Sequence, residues 1–274
     1  WRLQNQIPMF RWWWRTSQVF ELDEQLRFQK YYDSLSNGIF KLEHLPEYQS
    51  LLLEQGDSLW VRINAATFDE SVVYSGKGAS KNNFLMELFL RQEKENQFLS
   101  SKYASDQKTF SRLLDSMLLE KKELWIGMDS LNTLSPIAQK VTQAAYIYPY
   151  ATIRERYALL RGSQWTAEED SLYFSFRQYL NYSDNDLAFF DPYINYVLNY
   201  INKETVAPGS SYFQIKQTKD CNIQRLEVLD KNIGGTLFRN NLARAIAFEA
   251  ILTFENNGQH ERFLQFYATV NSSP

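Results

Sequence analysis

The sequence is poor in the residues from which redox and metal sites are usually built. It contains one cysteine, Cys221, and two histidines, His44 and His260, among 274 residues. A single cysteine cannot form an internal disulfide or a CxxC pair, and it cannot supply the thiolates of a structural zinc site. Two histidines so far apart in the chain do not indicate a histidine-rich metal centre. We therefore predict no metal and no cofactor.

Glycine, proline and long apolar runs are also scarce. The 10 glycines and 7 prolines fall below the average frequencies of ~7% and ~5%, which argues against a loop-rich all-β protein. No run approaches the ~18 consecutive apolar residues of a membrane-spanning helix, so we predict that the protein does not span a membrane. The formal net charge of -3 argues against nucleic-acid binding through bulk positive charge.

The period of the apolar pattern changes after residue 78. Alternation typical of antiparallel strands appears before that point in seven segments: 9–15, 18–22, 27–32, 38–43, 49–53, 58–64 and 71–75. In 58–64, Leu59, Val61 and Ile63 share one face, with Trp60 and Arg62 on the other. Beyond residue 78 the period is helical. We predict an α+β protein, with a small antiparallel β-sandwich-like domain over 1–78 and a larger all-helical domain over 79–274.

Three local signals place helix boundaries in the second part. Ser135 followed by Pro136 predicts a helix start, because serine caps and proline is preferred at the first helical position. Pro149 should kink or break that helix. Thr166 and Glu169 form a capping-box pattern that predicts a helix continuing through Tyr179.

Each candidate for catalytic chemistry has a simpler interpretation. Cys221 has no histidine near it in sequence to act as a base, so we interpret it as structural. Residues 165–170 look like the opening of a Myb-type helix but lack a basic recognition helix, and a capped, acidic helix N-terminus explains them. No phosphate-loop, dinucleotide-binding, zinc-protease, serine-hydrolase or calcium-loop motif is present. We predict that this chain is not itself an enzyme.

Aromatic residues supply the candidate binding surfaces. Trp12 and Trp14 would share one face of a strand, where they could stack on a sugar or a peptide, although burial is the commoner fate of such residues. Tyr193, Tyr196 and Tyr200 recur at helical spacing. They predict either an aromatic groove or a tyrosine-rich core, and the sequence leaves both interpretations open.

One ordered set of motifs resembles a known family. Residues 56–58 read Gly-Asp-Ser between two predicted strands, and residues 75–82 read Ser-Gly-Lys-Gly-Ala-Ser-Lys-Asn before the first helix. This order is similar to the N-terminal region of Bacteroidetes-type thiol-disulfide oxidoreductases of the TlpA-like group. The close match covers about 50 residues, from Gly38 to Leu85, with looser helical similarity after it.

The resemblance implies an accessory N-terminal module of a periplasmic or other cell-envelope protein, which in this family often carries a lipid anchor; here the anchor would lie upstream of Trp1. In such proteins a thioredoxin-like domain with a CxxC motif follows the helical segment. No CxxC is present here, so no redox residue can be transferred. The apolar pattern of 259–270 stops abruptly, and we expect a further segment, such as the thioredoxin-like domain, beyond Pro274.

Two functional hypotheses follow. The first is a non-catalytic accessory region that positions a tethered thioredoxin-like domain or presents a protein partner to it. The second is a stand-alone envelope module that binds glycans or peptides through Trp12 and Trp14 or through the tyrosines of 193–200.

Overall fold

A computed structural model describes residues 2–5, 17–130, 133–161, 165–206, 221–234, 236–253 and 259–271. Within these residues, strands occur up to Lys77 and long helices from Ala79 onwards. Both sheets are antiparallel. The predicted α+β class, with antiparallel strands first and a larger helical part after them, is confirmed.

The strands form one four-stranded and one two-stranded sheet in the described residues. The larger sheet has the order β2-β1-β3-β4 and the smaller one pairs β5 with β6. In the larger sheet Ile39 lies opposite Leu52, and in the smaller one Trp60 lies opposite Ser75. The strands are β1 (Arg2–Asn5), β2 (Ser17–Val19), β3 (Gly38–His44), β4 (Glu47–Leu53), β5 (Ser58–Arg62) and β6 (Val73–Lys77).

Two strand predictions need correction, and a third lies outside the described residues. No strand forms over 27–32. The Asp23 carboxylate instead accepts hydrogen bonds from the backbone of Gln25 and Arg27, which turns the chain just before that segment. The strand expected over 71–75 begins at Val73, because Ser71 ends a short helix. The predicted strand 9–15 lies among residues that the structure does not describe.

The helices follow the predicted order with modest shifts at their ends. None of the described helices is long and apolar enough to cross a membrane. The helices are α1 (Phe68–Ser71), α2 (Ala79–Ser100), α3 (Gln107–Met128), α4 (Pro136–Arg161), α5 (Ala167–Tyr173), α6 (Asp191–Glu204), α7 (Cys221–Asn232), α8 (Thr236–Thr253) and α9 (Gln259–Asn271).

Two of the three helix signals act as predicted. Pro136 is the first residue of α4, and the Ser135 hydroxyl accepts a hydrogen bond from the Ala138 backbone. Thr166 and Glu169 form the complete capping box of α5. That helix ends earlier than expected, at Tyr173, and continues as a 3-10 turn over Phe174–Tyr179.

Pro149 does not end α4, which continues to Arg161, so of the predicted kink or break the break is excluded. Proline inside a helix costs about 3 kcal/mol, since it removes a hydrogen bond and crowds the preceding turn. The burial of Tyr148, Tyr150 and Ile153 around it offsets this cost, because each large apolar side chain removed from water contributes about 1.5–3 kcal/mol.

The described chain divides into two compact units within α4. Residues up to Ile147 belong to one unit, and residues from Tyr148 onwards belong to the other. The change from strands to helices at residue 78 is a different kind of boundary. It marks where secondary structure changes, whereas the division at Ile147 marks where contacts become sparse.

The core of the first unit joins both sheets to the start of α2. Phe40, Leu51, Val72 and Tyr74 from the strand region pack with Met86 of α2. A second cluster lies between α2, α3 and the first turns of α4, where Phe84, Leu88 and Tyr146 are buried. The segment that carries the resemblance is therefore held at the centre of this unit.

The core of the second unit is rich in tyrosine. Tyr193 stacks on Phe238 of α8 with the ring centres 4.6 Å apart, and Tyr148 packs edge-on against Tyr193. The fully buried Leu226, Leu229 and other apolar side chains of α7–α9 complete this core.

Candidate functional site

The motif residues that carry the family resemblance meet at one place in the first unit. The turn before β5, the end of β6 and the first turn of α2 come together there. We call this place the strand–helix joint and define it by Glu54, Asp57, Gly76, Gly78, Lys81, Asn82 and Asn83.

The joint depends on two glycines with positive φ angles. Gly76 has a φ of 90° and Gly78 a φ of 91°, in a region that other residues rarely adopt. A Cβ atom on Gly76 would stand 2.2 Å from the carbonyl oxygen of Ser58, and one on Gly78 would stand 2.5 Å from the Asp57 carboxylate. Both positions therefore require glycine for space as well as for conformation.

Two consecutive asparagines attach α2 to the two sheets. The Asn82 side chain accepts a hydrogen bond from the Leu52 nitrogen at 2.8 Å and donates to the Leu52 carbonyl at 2.9 Å. Asn83 repeats this pairing with the backbone of Tyr74, at 3.0 and 2.9 Å. Because Leu52 belongs to β4 and Tyr74 to β6, one helical turn pairs with the backbone of both sheets as a neighbouring strand would.

A buried ion-pair network lies beneath the same turn. The Lys81 ammonium is 2.6 Å from a Glu54 oxygen and 2.7 Å from an Asp57 oxygen, and its side chain is 4% exposed. The Ser135 hydroxyl donates to the other oxygen of Glu54. Burial alone would raise the pKa of Glu54, but the hydrogen bonds from Lys81 and Ser135 hold that pKa below its ordinary value.

The polar groups of the strand–helix joint make structural contacts, with one another and with the backbone. Two carboxylates occupy the Lys81 ammonium in ion pairs, at 2.6 and 2.7 Å. The side-chain amides of Asn82 and Asn83 form hydrogen bonds with backbone groups. The joint therefore fixes the angle between sheet and helix.

The predicted tyrosines of α6 lie at different depths in the second unit. Tyr193 and Tyr196 are each 0% exposed, and Tyr200 is half-buried. The Tyr196 hydroxyl donates to the hydroxyl of Tyr182 at 3.0 Å, and Tyr200 packs on the Tyr182 ring. Only Tyr200 of the three is within reach of a partner at the surface.

Arg177 organises the polar contacts around these tyrosines. Its guanidinium donates to both oxygens of Glu155, at 2.8 and 2.6 Å, and to Glu204 at 2.7 Å. It also lies 3.8 Å from the centre of the Phe174 ring and 4.8 Å from that of Tyr200. We call this set, with Tyr182 and Tyr196, the Arg177 cluster.

The electrostatics of the Arg177 cluster favour a fixed ion pair. Although burial alone lowers the pKa of Arg177, hydrogen bonds and charge from Glu155 and Glu204 raise it above the ordinary value. Burial also raises the pKa of Tyr196 well above its ordinary value, and that of Tyr200 to about 12. The pKa values of Arg177, Tyr196 and Tyr200 are thus moved away from neutral pH, whereas burial raises the pKa of Glu155 above its ordinary value although Arg177 acts to lower it.

An open groove of about 560 Å³ lies between α2 and α3 in the first unit. Phe84 and Leu124 form apolar parts of its lining, beside Glu87 and Glu120. Arg91 bridges these carboxylates at 2.7 and 2.8 Å. A formed ion pair at the edge of a shallow groove does not provide the poised acid and base of a catalytic site.

The lone cysteine lies on the first turn of α7. Cys221 is buried, with 5% of its surface exposed, and it forms no disulfide. Because the chain has no second cysteine, it holds no CxxC motif. Among the described residues, no group of three or more His, Cys, Asp or Glu side chains is placed to hold a metal ion.

The structure describes one exposed tryptophan that sequence reasoning did not select. Trp60 on β5 is 73% exposed, whereas the selected Trp12 and Trp14 lie outside the described residues. The alternation of 58–64 already placed Trp60 opposite the apolar face. That signal could have identified it, since a tryptophan on the polar face of a strand has no core to enter.

Comparisons with family models, curated proteins and solved structures found no match to this chain.

Proposed function

We propose that this chain is a non-catalytic accessory region of a cell-envelope thiol-disulfide oxidoreductase-like protein, which positions a tethered thioredoxin-like domain or presents a protein partner to it. The observation that carries the proposal is the strand–helix joint. Residues that are scattered over 54–83 in the sequence, and that carry the family resemblance, all serve one structural purpose.

The joint supports a positioning role because it combines several rigid restraints. Gly78 allows the Asp57 carboxylate to approach the start of α2, and Asn82 and Asn83 bond the backbone of two sheets. Breaking a hydrogen bond to a buried backbone group leaves that group unsatisfied, which lowers the free energy of unfolding by about 1–3 kcal/mol. Such hydrogen bonds therefore hold the helix firmly to the sheets. A rigid connection between sheet and helix suits a module that holds another domain in place.

The cysteine content supports the non-catalytic part of the proposal. Thiol–disulfide exchange requires an accessible thiolate and usually a second, resolving thiol. This chain offers only Cys221, which is buried. The redox chemistry would therefore belong to the tethered domain, and the resemblance favours the periplasm or cell envelope as its location.

The sequence of the complete polypeptide that the gene encodes provides the test of this proposal. We expect its reading frame to continue into a thioredoxin-like domain with a CxxC motif. A complete polypeptide without a CxxC motif would exclude the tethered form that we propose.

A further inference from the structure

The exposed face of the two-stranded sheet presents an aromatic, an aliphatic and a charged side chain next to one another. Trp60 is 73% exposed and Val73 49% exposed. Arg62 lies two residues from Trp60 on the same strand, and Ser75 lies directly opposite Trp60. The other face of β5 turns Leu59 and its neighbours towards the core.

One edge of the Trp60 indole lies close to Gly76 of the neighbouring strand. Its Cδ1 atom lies 3.4 Å from the place where a Cβ on Gly76 would stand, so the absence of a side chain at Gly76 leaves room beside this edge of the ring. An aromatic ring held on one side and open on the other needs little ordering when it binds a flat ligand.

The charges at the ends of the sheet are positive. Arg62 lies opposite Val73 at one end, and Lys77 lies opposite Ser58 at the other. The Lys77 ammonium stands beside Gly56 in the turn before β5. Neither cation has an ion-pair partner within the part of the chain that the structure describes.

We propose that this face, formed by Ser58, Trp60, Arg62, Val73, Ser75 and Lys77, binds an acidic oligosaccharide of the uronic-acid class. The apolar side of a sugar ring would stack on the indole of Trp60. A carboxylate of the glycan would pair with Arg62 or Lys77, which complement it in charge, and the serine hydroxyls can donate to sugar hydroxyls.

The geometry favours a glycan over an acidic peptide. Peptides that bind sheets usually add a strand to an edge, where main-chain hydrogen bonds supply the affinity. The Trp60 face consists of side chains on one side of the sheet, so a ligand bound there would contact the indole rather than the main chain of a strand edge. The inference does not depend on the proposed accessory role, so either can fail without the other.

Isothermal titration of the 274-residue chain with hexagalacturonate and hexamannuronate tests the inference. We expect binding to at least one of them, with the affinity of Trp60→Ala reduced about tenfold or more and that of Trp60→Phe largely kept. Arg62→Gln should weaken binding and reduce its dependence on salt, because fewer charges then pair with the ligand.

Matched control variants and control ligands distinguish binding at this site from nonspecific binding. Tyr179 in the second unit is 82% exposed, so Tyr179→Ala should bind as the wild type does. Neutral cellohexaose and hexaglutamate should bind at least tenfold more weakly than the acidic sugar. The inference is wrong if neither acidic sugar binds, if Trp60→Ala binds equally well, or if either control ligand matches them.

Discussion

At the residue scale, the first unit depends on positions where only one side chain fits. Gly76 is the clearest, since a methyl group there would overlap a backbone oxygen of the neighbouring strand. Backbone atoms move less readily than a side-chain end, so relief would require the β5–β6 pair to shift. Gly127 near the end of α3 is the opposite case, with nothing within 4 Å of a Cβ.

We expect Gly76→Ala to lower the free energy of unfolding by about 3 kcal/mol or more, from the positive φ angle and the overlap together. Gly127→Ala should raise it by about 0.5–1 kcal/mol, because alanine is the better helix former. Urea unfolding followed by circular dichroism compares the two. Equal effects of the two substitutions would contradict the geometry of the joint.

The residue scale also sets how stability depends on pH. The pKa of Glu54 is lower in the folded protein than its ordinary value of about 4.3 in an unfolded chain. A carboxyl group with a lowered folded pKa stabilises the protein above the unfolded pKa, and this contribution is lost as the pH falls through the folded pKa.

We therefore expect Glu54→Gln to destabilise the protein by about 2 kcal/mol at pH 7, and by progressively less as the pH falls below about 4.3. Urea unfolding at a series of pH values from 7 to about 3 measures the difference. A difference that stays constant over this range would show that the charge of Glu54 does not contribute.

At the element scale, α2 is attached to the strands by side chains that replace a backbone partner. Asn82 makes hydrogen bonds with both polar groups of Leu52 and with the Gly78 carbonyl. Several turns further along the same helix, the exposed Asn96 accepts a hydrogen bond from Gln92.

We expect Asn82→Ala to cost about 3 kcal/mol, because it leaves the buried backbone groups of Leu52 unsatisfied. The matched substitution Asn96→Ala should change stability by less than about 0.5 kcal/mol. Hydrogen exchange of the Leu52 amide should accelerate only in the first variant. Unchanged protection of Leu52 would mean that Asn82 is not what holds β4 to α2.

The order of the helices and strands could be predicted from periodicity and capping. The contacts that form the strand–helix joint could not. The capping box of Thr166 and the start at Pro136 depend on residues three or fewer positions apart, so local sequence determines them. The pairing of Asn82 with Leu52 spans 30 residues, and no periodicity reports it. The prediction for 27–32 failed for a related reason, since alternation does not reveal whether a partner strand is available.

The candidate site was predictable only in part. Tyr193, Tyr196 and Tyr200 share a helix as expected, but the sequence could not rank their burial, which depends on Tyr148, Tyr182 and Phe238. Trp60 could be placed opposite the core face by alternation alone. Its exposure follows from the absence of any packing element above that face in the described residues.

At the scale of the whole molecule, the second unit depends on a buried ion pair. Glu155 is 0% exposed and Arg177 is its bidentate partner. Removing one member of a buried pair is strongly destabilising, about 3–5 kcal/mol, because the other charge is left without compensation, whereas replacing both by apolar residues is often neutral.

We expect Arg177→Met to destabilise the second unit by about 3–5 kcal/mol and the double variant Arg177→Met/Glu155→Met to recover most of that loss. Thermal unfolding with tyrosine near-ultraviolet circular dichroism as the signal measures both. A double variant no more stable than Arg177→Met would show that Arg177 acts through its contacts with Phe174 and Tyr200 instead.

On the function proposed here, the chain contributes positioning and no thiol chemistry. Insulin disulfide reduction tests this with the complete encoded polypeptide, its Cys221→Ser variant, and the 274-residue chain alone with and without the same substitution. We predict equal activity for the first two and none for the chain alone. Activity in the isolated chain that disappears on Cys221→Ser would contradict the claim.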